Sequence, residues 1–537
     1  MEYKQKIKRF VFFLSICWTG VWAQSEITFE EYRFRRDQLR ELLPENGMAV
    51  FFSAPIRNRS NDTNYNYHPD RNMLYLTGWE EPHAVLLIYK NPQQDAQGNY
   101  SEELFVRDRD AYEELWNGTV VGIARAQEWG IDRVRNRKEF LDRKDHYTSF
   151  DALLLYEFQN DVRDKANDPF DLYALQKHFR QQINYPNELN AIRYDLYQKV
   201  RQVTAEGFVS LQAEIRRMAR LDPGIEKDAL LQNFLAIPKD GSQEELKMQS
   251  AYLLRQTHFD LEQLPKLMGQ LREQKSPTEI DLLKKAIAIS VIGQIEVMKA
   301  LHPQMSEREI QGIHEFVYKK YGAADVGYPS IVGAGNNGCV LHYSHNELEQ
   351  VNNQLVLMDL GAEYKGYTAD VTRTIPANGR FTAAQRELYE VVYQAQEAAI
   401  AVAQVGTPFS EITQVAYAEV SKGLMALGII EGADELRRYL PHGVTHHIGL
   451  DVHDPGAYEQ LKPNMIITVE PGIYIPKGSP CDPKWWEIGI RIEDDILITT
   501  KGLVNLSAKA PRHWKAIEVM MQEDSVLREW KLPELEN

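Results

Sequence analysis

The period of apolar and polar positions changes several times along this chain, and the changes mark out its elements. From Phe29 the stretch EEYRFRRDQLRELL has helical spacing, and GMAVFFSA, NMLYLTGW and AVLLIYK follow as short strand-like apolar runs. One helix followed by strands over residues 27–150 predicts a small α/β domain. Residues 151–275 read differently. LNAIRYDLYQKVRQVTAEGFVSLQAEIRRMARL and SAYLLRQTHFDLEQLPKLMGQLREQ are long, charge-rich helical patterns, which predict solvated helices extending the first domain and leading into a linker. A capping box with proline at the first helical position, Ser276-Pro277-Thr278-Glu279, opens a third region, 276–515, and a second box spans Ser306 to Glu309. Thr382 with Gln385 opens an amphipathic helix through Leu388, Val391, Ala395 and Val402, and another runs from about Phe409 to Leu427, stopped at Gly428. Strands follow each helix pair, so the same succession occurs twice, as in an internal duplication. Residues 516–537 read as a tail.

Within the third region, LVLMDLGAEYKGYTADVTRTI reads as two strands joined at Lys365-Gly366. If Tyr364 pairs with Tyr367, Asp370 lies opposite Gly361 and diagonal to Asp359 on the same face, with backbones about 7–8 Å apart. Two carboxylates brought together this way repel unless one stays protonated or a cation sits between them. PHGVTHHIGLDVHDPG carries His442, His446 and His453, MIITVEPGIYI carries Glu470, and IGIRIEDDILIT carries Glu493. A carboxylate inside an apolar strand is costly to bury unless paired or bound to a metal. Alternation in IGIRIEDD sets Ile488, Ile490 and Ile492 on one face and Gly489, Arg491 and Glu493 on the other. His442 and His446 have the i, i+4 spacing of a zinc-protease helix, but the glycines and β-branched residues around them and the lack of an adjacent Glu predict loop or strand. Two Asp, one His and two Glu form a hard, oxygen-rich set that suits divalent ions such as manganese rather than a thiolate-bound zinc.

These residues resemble, in order, the five metal ligands of the superfamily of methionine aminopeptidase, prolidase and aminopeptidase P. Asp359, Asp370, His446, Glu470 and Glu493 fall in DLG…TADVTRT, HGVTHHIGLDVHD, TVEPGIY and GIRIEDD. The stretch RNRSNDTNYNYHPDRNMLYLTGWEEPHAVLLI is similar to the N-terminal domain of aminopeptidase P. The resemblance implies an α/β (α+β) chain whose C-terminal catalytic domain has the pita-bread fold with a pseudo-twofold repeat, behind a smaller α/β domain that packs over the substrate cleft. It further implies two divalent ions per subunit, expected to be Mn²⁺, with a hydroxide between them. In that scheme Asp370 and Glu493 bridge the ions, Asp359 chelates one, and His446 and Glu470 complete the other. Glu470 also handles the water proton, His342 contacts substrate, His442 and His453 position it and share the oxyanion, and Arg491 orients the ligands. His345 and His447 are expected to be ordinary core or surface histidines, and Tyr343, Tyr364 and Tyr474 packing residues.

The implied activity is removal of the first residue from peptides with Pro second. Dipeptide-restricted prolidase activity is the alternative, and a non-catalytic peptide-binding protein on the same fold a more distant one. The resemblance also implies a homo-oligomer, dimer or tetramer. With 537 residues and a net charge of −16, the chain is long enough for several domains and unsuited to nucleic acid. Lys4, Lys6, Lys8 and Arg9 precede an apolar run from Phe10 to Trp22 ending Val21-Trp22-Ala23, which reads as a signal peptide over 1–23 and a periplasmic or secreted protein. That run is shorter than the roughly 20 apolar residues of a membrane helix, so no stable insertion is expected after cleavage. Beyond it only Cys339 and Cys481 remain, too few for a disulfide framework.

Overall fold

The computed structural model describes residues 26–525 and 527, apart from 144–146, 187, 205 and 239–257. The expected signal segment 1–23, the SAYLLRQ part of one helical pattern and most of the tail lie outside the described residues. No helix among the described residues is long and apolar enough to cross a membrane.

The first domain is built on a six-stranded mixed sheet in the order Arg133–Asn136, Gly98–Val106, Val85–Asp95, Gly47–Phe52, Ala152–Leu155, Phe259–Asp260. Period-2 alternation assigns its two faces. Ala49, Phe51, Leu86, Ile88, Leu104 and Leu154 turn toward the helix Phe29–Leu42 and the core shared with the C-terminal domain. Met48, Val50, Leu87, Phe105, Leu153 and Leu155 turn the other way, onto Leu175, Phe179, Leu196, Ile215 and Phe234. Those last residues belong to the helices Leu172–Gln182, Ala191–Gln202, Phe208–Met218 and Ala229–Ala236. The region expected to be solvated helices therefore covers a sheet face and supplies two of its strands. One of them, Phe259–Asp260, interrupts a pattern that reads as helix, because its backbone is captured in parallel by Leu153 and Leu154.

NMLYLTGW also departs from expectation: Arg71–Thr77 is a helix, not a strand. Asp70 caps it by accepting from the N–H groups of Asn72 and Met73, and Gly78 closes it at φ 73°. End signals outweigh β-propensity in so short a run.

The C-terminal domain shows the expected duplication. The capped helices Pro277–Ala300 and Glu307–Lys320 precede a three-stranded sheet, Ile331–Ala334, Leu355–Leu360, Val371–Pro376. Ala383–Val402 and Phe409–Ala426 precede a second, Ile466–Val469, Asp494–Thr499, Gly502–Asn505. A buried glutamine on the first helix of each half bonds the hairpin below it. Gln294 donates to the carbonyls of Met358 and Val371 (3.2 and 2.6 Å), and Gln396 to the carbonyl of Val469 and to Asp494 (both 3.0 Å).

Candidate metal centre

The hairpin register is the one the turn dictates. Lys365 (φ 52°) and Gly366 (φ 83°) form its tip, Tyr364 pairs with Tyr367, and Asp359 with Thr372. Asp370 accordingly faces Gly361, whose backbone bends there to accept from the N–H of Gly327 (2.8 Å). The approach is so close that a Cβ on Gly361 would lie 1.8 Å from the Ala369 carbonyl oxygen, so only glycine fits.

In the second half, the segment through His446 runs antiparallel to Ile466–Val469. The N–H of Thr468 donates to the His446 carbonyl and that of Glu470 to the Val444 carbonyl, both at 2.9 Å. His446 is thus in an extended loop, as the glycines require. Its Nδ1–H donates to the His447 carbonyl at 2.9 Å, which turns Nε2 toward Asp370 Oδ2 (3.5 Å) and Glu470 Oε1 (3.4 Å). The two halves are stitched by Thr374 Oγ1, which donates to the Arg491 carbonyl, and by the Glu493 N–H, which donates to the Thr372 carbonyl (3.0 and 3.1 Å).

All five expected ligands converge. Asp370, His446 and Glu493 offer donor atoms within 4.8 Å of one another, and Glu470 joins through His446. Asp359 turns Oδ2 to Arg491 (2.5 Å) and Oδ1 to the Tyr328 hydroxyl, which lies 2.6 Å from Oδ1 of both Asp359 and Asp370. Thr372 Oγ1 donates to Glu493 Oε2 at 2.6 Å, and the Asp370 N–H donates to Asp495 at 3.2 Å.

Four carboxylates share one guanidinium here, and the imbalance shows in their protonation. Burial and the neighbouring Asp359 raise the Asp370 carboxyl; burial with Asp370 and Glu470 raises Glu493 well above the usual range. Burial and Asp370 push Glu470 up to about 7. Asp359 alone is lowered: burial opposes ionisation, but Arg491 and Tyr328 outweigh it. His446 is raised to about 9 because Asp370 and Glu470 overcome its burial. A site with surplus buried carboxylates and an imidazole nitrogen locked toward them fits divalent cations, which would supply the missing charge.

His453 is exposed, with its ring edge-on to His446 at 4.4 Å between centroids. His342 is also exposed, and its charge would bear on His442 and His453. His442 has both nitrogens engaged: Nδ1 with the Gly443 carbonyl (2.6 Å) and Nε2 with the Tyr474 hydroxyl (2.9 Å). Arg491 donates in turn to that hydroxyl at 2.9 Å. Tyr474, expected to be packing, therefore links Arg491 to His442. It stands opposite Gly489, two residues from Arg491 on the same face, so strand alternation held the signal. Thr372, opposite Asp359 in the hairpin, and Asp495, two residues past Glu493, carried the same kind of signal, whereas Tyr328 had none. Of the remaining residues read as bland, His447 is buried with Nε2 on the Ala457 carbonyl, and Tyr343 donates to Glu307.

The chain resembles known proteins over most of its length. The model of metallopeptidase family M24 matches residues 281–500, and that of the aminopeptidase P N-terminal domain matches 32–151. Xaa-Pro aminopeptidase of Escherichia coli is 33% identical over 93% of this chain and 98% of its own length. Xaa-Pro aminopeptidase 3 of Rattus norvegicus is 31% identical over 92% of this chain and 86% of its own. The solved structure of E. coli aminopeptidase P with the inhibitor Pro-Leu covers 92% of this chain and 98% of that one, with a TM-score of 0.70 at 32% identity, and a zinc-substituted form of the same enzyme matches equally well. The chain belongs to metallopeptidase family M24, with the N-terminal domain of aminopeptidase P in front of its catalytic domain.

Proposed function

We propose that this protein is a metal-dependent Xaa-Pro aminopeptidase, a hydrolase that removes the first residue from peptides with Pro in second position. The observation that carries the reading is the convergence of Asp359, Asp370, His446, Glu470 and Glu493 on one point with a deficit of positive charge. Two divalent ions, for which we propose Mn²⁺, would be held by these residues and would supply Lewis acidity for activating water and polarising the scissile carbonyl.

The chain's own groups do the rest. Asp370 and Glu493 lie between Asp359 and the pair His446 and Glu470, and these five residues would hold the ions. Tyr328, Thr372 and Asp495 hold Asp370 and Glu493 in place. Glu470 takes the proton from water and delivers it to the leaving nitrogen. Arg491 fixes Asp359 and, through Tyr474, His442. His453 and His342 face the solvent-accessible side, where they meet substrate and the developing oxyanion. Proline after the scissile bond offers no N–H, so a site that grips the free amino group and the carbonyl instead tolerates it.

The test is mass-spectrometric cleavage of Arg-Pro-Pro-Gly-Phe beside Ala-Pro by chelated protein reloaded with manganese. Metal-dependent release of the first Arg alone is expected. Cleavage confined to Ala-Pro would make the protein a prolidase, and none with any of several metals would leave a peptide-binding role. We also propose signal cleavage after Ala23, a periplasmic or secreted location and a homo-oligomer of two or four chains. N-terminal sequencing of the mature protein and sedimentation check these.

A further inference from the structure

His453 presents an unusual problem of placement. It is exposed, and among the described residues no hydrogen bond holds its ring. Its position therefore depends on the backbone of the 449–457 loop, which has no regular secondary structure. That loop is anchored from below. The Arg272 guanidinium, almost completely buried, donates to Asp454 (2.5 Å), to Asp451 (2.7 Å) and to Asn72 on the first-domain helix (2.9 Å). Lys275, equally buried, donates to the other oxygen of Asp454 at 2.7 Å. Asp454 immediately follows His453 in the chain. Its carboxylate also accepts from the Asp451 N–H (3.1 Å), and its own N–H donates to the His447 carbonyl (3.0 Å). The fit is close: a Cβ on Gly449 would lie 2.5 Å from the Asp454 carboxylate.

We propose that Arg272, with Lys275 beside it, is a positioning residue that clamps Asp451 and Asp454 and so holds His453 over the metal centre. Neither cation touches the site; both act through two residues of the loop that carries His453. Asn72 extends the clamp into the first domain, which gives that domain a stake in substrate handling without contributing a reacting group. The inference rests on the reading of His453 as a substrate-facing histidine.

A double-mutant cycle tests it: Arg272→Gln and Arg272→Lys, each alone and combined with His453→Ala, assayed on Arg-Pro-Pro-Gly-Phe at saturating manganese chloride. Arg272→Gln is expected to lower kcat about ten- to a hundred-fold through misplacement of His453, with KM little changed. Arg272→Lys, which keeps the charge but not the fork, should recover part of that loss. In the His453→Ala background the further loss from Arg272→Gln should shrink to within about two-fold. The same factor in both backgrounds would overturn the clamp while leaving the function intact. Unimpaired turnover by His453→Ala would overturn both the substrate-facing reading of that histidine and the clamp. If Arg272→Gln does not fold, Asp451→Asn carries the same cycle with a smaller factor, since Asp451 is partly exposed and Asp454 still holds the guanidinium.

Discussion

At the junction cluster, Asp451 and Asp454 meet Arg272 and Lys275, two negative groups against two positive. At the metal centre, Asp359, Asp370, Glu470 and Glu493 have Arg491 as their guanidinium partner. The junction holds Asp454 down at about 2, since Arg272 and Lys275 outweigh its burial, whereas the metal centre drives Glu470 to about 7. Burial is common to both, so what separates a structural ion cluster from a cation site here is the count of opposing charge. A buried cluster in balance stabilises a loop; one in deficit waits for a ligand that restores balance.

The largest expected effect comes from removing Asp370 or Glu493, two of the residues proposed to hold the metal. Asp370→Ala or Glu493→Ala should cost on the order of 10³-fold or more in kcat/KM while leaving the melting temperature nearly unchanged, read by peptide hydrolysis and calorimetry. Full turnover by a folded double variant would sink the metal assignment. The opposite signature belongs to the junction: Asp454→Ala leaves Arg272 and Lys275 buried without their shared partner and should destabilise the protein by about 3–5 kcal/mol in denaturant titration.

The two clusters should also separate by pH. In chelated protein, Glu470 binds a proton more tightly folded (about 7) than unfolded (4.5), so its contribution is present below 4.5 and lost as pH rises through 7, by roughly 3 kcal/mol. Asp454 behaves oppositely. Its folded value, about 2, lies below its unfolded 3.8, so its contribution of roughly 2 kcal/mol is present above 3.8 and lost as pH falls through 2. Stability of the chelated protein should therefore decline from pH 4.5 to 7 and flatten on adding manganese; a chelated protein with no such decline would contradict the charge deficit. The smallest effect is at Tyr474→Phe, which breaks the link from Arg491 to His442. About ten-fold in kcat is expected, matching one hydrogen bond to a charged group.

Much of the centre was legible in the chain because hairpins are local. Lys365-Gly366 sets a turn, the turn sets the register, and the register puts Asp359 and Asp370 on one face. The same locality put Arg491 and Glu493 together, and capping boxes marked three of the four helices in the duplicated pairs. Arg71–Thr77 was misread because a seven-residue apolar run fits either period, and Asp70 and Gly78 decide it.

What the sequence by itself determined, then, was much of what is held by interactions a few residues apart: the starts of the capped helices, the strand faces, and the hairpin that sets Asp359 and Asp370 on one side. Tertiary structure alone decided which distant groups complete them. Tyr328 reaches Asp359 and Asp370 from 31 and 42 residues away, Arg272 clamps Asp454 from 182, and residues 152–155 and 259–260 enter the first sheet by long-range parallel pairing. Such contacts leave no periodic trace in the sequence, because neither partner's neighbours constrain the other until the core has brought them together.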